Sequence, residues 1–138
     1  MAKQLARILL RARFSWRVQI IRAHSPDAPT LSAIAWAAKA HWGYPAHWME
    51  QWRDQLTITP EFIAANETFV AVINGRMIAF HALLETVETL CLEHLWVLPE
   101  QIGQGIGRIL FTHASEIDGR CRELPLLTFD LTEIGLRL

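Results

Sequence analysis

At 138 residues, with 51% apolar and 20% charged side chains, the chain has the make-up of one globular domain around a single core. That composition excludes a disordered or fibrous protein, and a formal net charge of −1 gives no reason to expect a nucleic-acid partner. Two cysteines, Cys91 and Cys121, make one possible pair but no disulfide framework, and they read as reduced thiols of a cytoplasmic protein.

Charge is unevenly spread at the start of the chain. Lys3, Arg7, Arg11, Arg13, Arg17 and Arg22 all precede the first acidic residue, Asp27. Residues 1–16 therefore read as a basic N-terminal extension ahead of a domain spanning 17–138. With Leu5, Ile8, Leu9 and Leu10 the extension could form a cationic amphipathic helix, or it is simply a solvated segment. Its apolar run is too short to cross a bilayer, and no membrane partner is expected.

The first strand is predicted over 17–23, where Val18, Ile20 and Ile21 are β-branched. Ser25-Pro26-Asp27 then signals a helix start: a capping hydroxyl, a proline at the first helical position and an acid at the positive end of the dipole. Leu31, Ile34, Ala35 and Ala38 follow at helical spacing. Gly43 interrupts, Pro45 opens a second helix carrying Met49, Trp52 and Leu56, and Thr59-Pro60-Glu61 starts a short third one through Ala65. The period then changes. Residues 67–73 alternate, Asn74-Gly75 predicts a type I′ turn because both central residues need positive φ, and 76–84 return as its partner. Another strand is predicted over 89–98, ended by Pro99. Ile106, Ile109, Leu110, His113, Ala114 and Ile117 then form one helical face, with His113 packed within it, and 124–131 read as a last strand.

Between strand and helix lies Gly103-Gln104-Gly105-Ile106-Gly107. Alternating glycines at a helix N-terminus let backbone approach a ligand and aim unpaired N–H groups outward, an arrangement suited to phosphate. Glycines there also serve a plain tight turn. A Walker loop is excluded, since Gly107 is followed by Arg108-Ile109 rather than Lys-Ser/Thr, and G-x-G-x-G late in the chain does not fit the dinucleotide fingerprint.

LEHLWVLPEQIGQGIGRILF resembles motif A of the GNAT N-acetyltransferases, a strand ending in V-x-P followed by R/Q-x-x-G-x-G/A. IRAHSPDAPTLSAIA is similar to that family's first strand and helix, KAHWGYPAHWMEQWRDQLTITPEFI to its second helix, and FVAVINGRMIAFHALLE to its central hairpin. The resemblance covers roughly residues 18 to 117. It implies an α/β fold, a mixed, mostly antiparallel twisted sheet flanked by helices, and acetyl-CoA as co-substrate.

By that resemblance, main-chain groups of Leu95, Trp96 and Val97 hold the pantetheine arm. The segment Ile102, Gly103, Gln104, Gly105, Ile106, Gly107 and Arg108 holds the pyrophosphate. Ile102 stands where the family has Arg or Gln, so backbone amides rather than a side chain must do the work. Glu93 is implied as the base that deprotonates the acceptor amine, with His94, one residue on, read as a packed, hydrogen-bonded histidine. Tyr44, as a catalytic group, and His41 and Trp42, as acceptor contacts, lie where the family lines its acceptor side; alternatively Trp42 and Tyr44 wedge the helix pair together. His41 and His47 are too isolated to imply a metal.

After the motif A helix, Ile117-Asp118 runs almost directly into GRCRELPLL, which resembles the family's last strand joined on early. The fold is thus expected to be C-terminally shortened, without the fifth strand and fourth helix. No tyrosine follows Tyr44 to serve as general acid. Residues 124–131 could then fill the gap or swap into a second chain as a homodimer. The expected activity is acetyl transfer to a primary amine of a small molecule or peptide; the alternative is a non-enzymatic CoA-binding or dimerising domain.

Overall fold

A computed structural model describes residues 18–87 and 90–117 of the chain. The basic extension and the strand expected at 124–131 lie outside the described residues, as does Cys121.

Four strands, β1 (Gln19–Arg22), β2 (Glu67–Ile73), β3 (Arg76–Glu85) and β4 (Leu90–Val97), form one sheet in sequence order, each pair antiparallel. The β2–β3 turn is the expected one. Asn74 and Gly75 take φ of 51° and 78°, and Ile73 lies opposite Arg76. Two irregularities interrupt the ladders. Ala71 faces Ala79 while Val72 faces Met77, so Ile78 has no opposite number on β2. On the next pair Ala82 faces His94 and Leu83 faces Leu92, so Glu93 is the extra residue of a β-bulge.

The sheet is covered on both sides, which gives the chain two apolar clusters. On one side Val70 and Phe80 pack against Leu31, Ile34 and Ala35 of α1 (Ala28–Ala40), Met49 of α2 (Ala46–Gln51), Leu56 of α3 (Arg53–Leu56) and Ile63 of α4 (Pro60–Ala65). On the other, Ala71, Ala79, Leu95 and Val97 meet Ile106 and Leu110 of α5 (Ile106–Ile117). The unpaired Ile78 joins this second cluster beside Ala79, which strict alternation forbids and a bulge permits. Burial of one such leucine contributes roughly 1.5–3 kcal/mol, so α5 is held by a few side chains at helical spacing.

Two local expectations are corrected. Ser25 does not cap: a 3-10 turn over Ser25–Asp27 precedes α1, and the Asp27 carboxylate accepts the His24 N–H at 2.9 Å, while the Ser25 hydroxyl donates to the Pro60 carbonyl at 3.2 Å. The helix predicted from Pro45 breaks in two at Trp52, whose φ of −90° and ψ of −1° depart from helical values; its N–H is shared between the Trp48 and Met49 carbonyls. Pro45 opens α2 as expected, as its N-cap, with extended ψ of 145° and a carbonyl that accepts the Trp48 and Met49 N–H groups at 3.0 and 3.2 Å. The Thr59 cap is as expected, its hydroxyl accepting the Phe62 N–H at 3.0 Å.

A glycine loop beside an edge strand as candidate functional site

β4 leads through Leu98 and a 3-10 turn (Pro99–Gln101) into the glycine loop and α5. The turn uses two donors: Gln101 N–H bonds the Leu98 carbonyl at 2.9 Å and Ile102 N–H bonds Pro99 at 3.2 Å. The next committed amide is that of Ile109, bonded to the Gly105 carbonyl at 3.1 Å. Among the described residues, the N–H groups from Gly103 to Arg108 have no carbonyl partner; the last four, Gly105 to Arg108, are the donors every helix start leaves open, and Gly103 and Gln104 extend them into the loop. Gly103 and Gly105 have φ of 87° and 80°, which only glycine takes at no steric cost. A Cβ at either would meet nothing within 4 Å, so both face open space. Open donors, the positive end of the helix dipole and an uncrowded backbone together fit a diphosphate. Arg108 is exposed in the first turn of α5; Ile102, half-buried with its N–H spent on Pro99, stands outside this donor set.

Among the described residues β4 is the outer strand of the sheet. Leu98 N–H bonds the Ile78 carbonyl at 2.9 Å. By the alternation of an antiparallel ladder, Trp96 then exchanges main-chain bonds with Phe80, and the main-chain groups of Leu95 and Val97 point to the outer edge. Among the described residues the outward main-chain groups of Leu95 and Val97 and the uncommitted amides of the loop are therefore close together along the chain. Glu93, exposed at the bulge, lies two residues before the first of these edge positions.

His94 packs on the helical side of the sheet, between the rings of Phe62 and Phe80, with centroids at 5.5 and 6.1 Å. Its Nδ1 accepts the indole N–H of Trp96 at 3.1 Å. Burial lowers its pKa to about 4. On the opposite side of the sheet His81 and His113 form a second pair, His81 stacked on Phe69 and His113 edge-on to it, with His81 fully buried and its pKa brought down to about 3 by burial and by the neighbouring His113. Burial also lowers His113, against a raising influence from Glu116. The sequence reading anticipated a packed His113 but not its partner, 32 residues away. Strand alternation over Ala79, His81 and Leu83 was the available signal.

Between α1 and α2 the aromatic residues gather. Tyr44 is half-buried, edge-on to Trp52 at 5.0 Å and tilted against Trp48 at 6.2 Å. The Lys39 ammonium lies over Tyr44 and Trp52 at 5.0 and 4.5 Å from their centroids. Tyr44 thus takes part in wedging the helix pair. His41 and Trp42 are both exposed, edge to face at 5.2 Å, and Trp42 does not join that cluster. Among the described residues no three His, Cys, Asp or Glu gather as metal ligands, and no helix is long and apolar enough to cross a membrane.

No curated protein matches the chain. Solved structures do. The coenzyme A complex of PaiA N-acetyltransferase from Thermoplasma acidophilum superposes with a TM-score of 0.63 at 17% identity, covering 83% of this chain and 87% of that one. A GCN5-related N-acetyltransferase from Rhodopseudomonas palustris gives 0.60 at 20%, over 73% of this chain and 65% of its own length. A possible acetyltransferase from Clostridium difficile gives 0.57 at 12%, with 83% and 88% covered. At these identities the likeness is one of fold. The family model for the acetyltransferase (GNAT) domain matches residues 64–135, over half of the chain and the whole of β2 to α5. On that match, the chain belongs to the GNAT acetyltransferase family.

Proposed function

We propose that this protein binds acetyl-CoA and transfers the acetyl group to a primary amine of a small molecule or peptide in the cytoplasm. The observation that carries this reading is the run of uncommitted amides from Gly103 to Arg108, directly downstream of a strand edge. When bound, acetyl-CoA supplies an activated thioester; the chain's own residues bind it, orient it and manage protons. The amides of Gly103 to Gly107 grip the diphosphate, with Arg108 adding charge. The outward main-chain groups of Leu95 and Val97 pair with the pantetheine amides as a further strand would. Glu93, on the exposed bulge, takes the proton from the acceptor ammonium. Tyr44, His41 and Trp42 flank the acceptor side, with His41 and Trp42 exposed to meet it.

Thermal unfolding with and without acetyl-CoA tests the ligand, because binding to the folded state raises apparent stability by about 2.7 kcal/mol at a hundredfold excess over Kd. No shift at millimolar acetyl-CoA would remove the proposal. If a shift appears, thiol release with primary amines (an alkylamine, a polyamine, an arylethylamine and a lysine peptide) tests the transfer.

The outer position of β4 also favours a second reading, a non-enzymatic domain whose edge pairs with another chain, including a second copy. Light scattering at several protein concentrations separates the two: a dimer that acetyl-CoA dissociates, with no thiol release, supports the second.

A further inference from the structure

A tryptophan indole can only donate a hydrogen bond, so the 3.1 Å contact from Trp96 Nε1 obliges His94 Nδ1 to accept. The proton of the neutral ring then resides on Nε2. Phe62 stands edge-on to the imidazole at 81° and Phe80 lies tilted against it at 38°, so the ring cannot easily turn over and exchange its nitrogens. Among the described residues the one buried side-chain nitrogen or oxygen without a partner is His81 Nδ1, so His94 Nε2, which has no partner among these residues, keeps some contact with solvent. His94 also immediately precedes Leu95, whose main-chain groups face the outer edge, and immediately follows the bulged Glu93. A fixed, solvent-accessible N–H donor with an apolar surround is thus carried by the residue between Glu93 and Leu95 in the chain.

We propose that His94 is a catalytic residue of this site, presenting Nε2–H to the thioester carbonyl oxygen and stabilising the negative charge that builds there during acetyl transfer. The role rests on the acetyl-transfer reading above. In the reaction a C–N bond forms as the C–S bond breaks; the amine gives up one proton and the departing thiolate takes one, so the exchange balances without His94. His94 moves no proton. It donates a hydrogen bond, which in apolar surroundings is worth more than in water. The ring's low basicity keeps it neutral near pH 7, so it offers a donor without a buried charge. Phe62, Phe80 and Trp96 line it, and no charged group contributes to the shift.

His94→Phe keeps an aromatic ring between Phe62 and Phe80 and removes the donor. The expected result is a kcat lower by about 10²–10³-fold, typical of a lost oxyanion donor, with an unchanged acetyl-CoA thermal shift; His94→Gln, which restores an N–H, recovers part of it. Nitrogen-15 NMR of the unmodified protein should report the Nε2–H tautomer. Either turnover that survives His94→Phe or an Nδ1–H tautomer overturns the role. A protein that binds acetyl-CoA and releases no thiol with any of the amines loses the transferase reading and this role together.

Discussion

His81 and His113 meet across the interface of β3 and α5, with Nε2 and Nδ1 2.9 Å apart. Only one proton fits between two neutral rings at that distance, and a second would set two cations side by side in an apolar layer. Acid is therefore expected to loosen the contact that holds α5, and with it the glycine loop, against the sheet. The sign follows from the folded-state pKa values, about 3 for His81 and about 4 for His94, both below the ordinary 6.5. The unfolded chain binds these protons first. Stability is thus complete above pH 6.5 and declines as the pH falls toward 4, each group costing up to about 1.4 kcal/mol per pH unit. Urea midpoints between pH 7.5 and 4.5 check this, and His81→Phe should flatten the slope.

The glycine loop makes a second prediction. Neither Gly103 nor Gly105 has an atom within 4 Å of an added Cβ, so alanine is penalised by backbone conformation rather than by a clash. Each Gly→Ala change should cost about 1–2 kcal/mol in stability. The acetyl-CoA thermal shift should also fall, because alanine disfavours the positive φ that aims these amides outward. Comparing melting with and without acetyl-CoA separates the two effects.

Glu93 is exposed and paired with nothing on β3, so Glu93→Gln should leave the melting temperature and acetyl-CoA binding unaltered. Thiol release should drop by about 10²–10⁴-fold, the usual range for a lost general base. Equal turnover in the two proteins would transfer the base role elsewhere.

Leu110 has no exposed surface and lies at the centre of the α5 cluster. Leu110→Ala should destabilise the domain by about 2–5 kcal/mol through lost burial and the cavity left behind. Denaturant titration measures it.

Much of this architecture is legible in the amino-acid order. Asn74-Gly75 specifies its turn through two backbone conformations that few other pairs accept, and Thr59 its cap through one hydroxyl. The face of α5 follows largely from spacing: Ile106, Leu110 and Ala114 are buried as expected and Ile109 and His113 half-buried, whereas Ile117, at the end of the helix, is exposed. Ladder irregularities are less visible, because Ile78 and Glu93 become extra residues only once a neighbouring strand fixes the register. The break at Trp52 is similar. Its ring is claimed by Tyr44 and Lys39, and that tertiary demand overrides a helical pattern that continues on both sides. Of the candidate site, the glycines and the edge strand could be read directly. The lock of Trp96 on His94 depends on a shared face two residues apart, which is simple in hindsight but needs the strand's orientation to be known.

Removing Glu93 altogether would let β4 run from Leu92 into His94 as a regular strand, with Leu83 still opposite Leu92 and Ala82 still opposite His94. No side chain would change sides. The ladder is already complete without this residue, so packing alone gives no reason for its presence. Its effect is curvature: the surplus residue bends the strand away from a straight course just before Leu95. A deletion mutant would accordingly fold as well as its parent while presenting a flatter rim, and its difference from Glu93→Gln, which removes the charge alone, isolates the effect of shape.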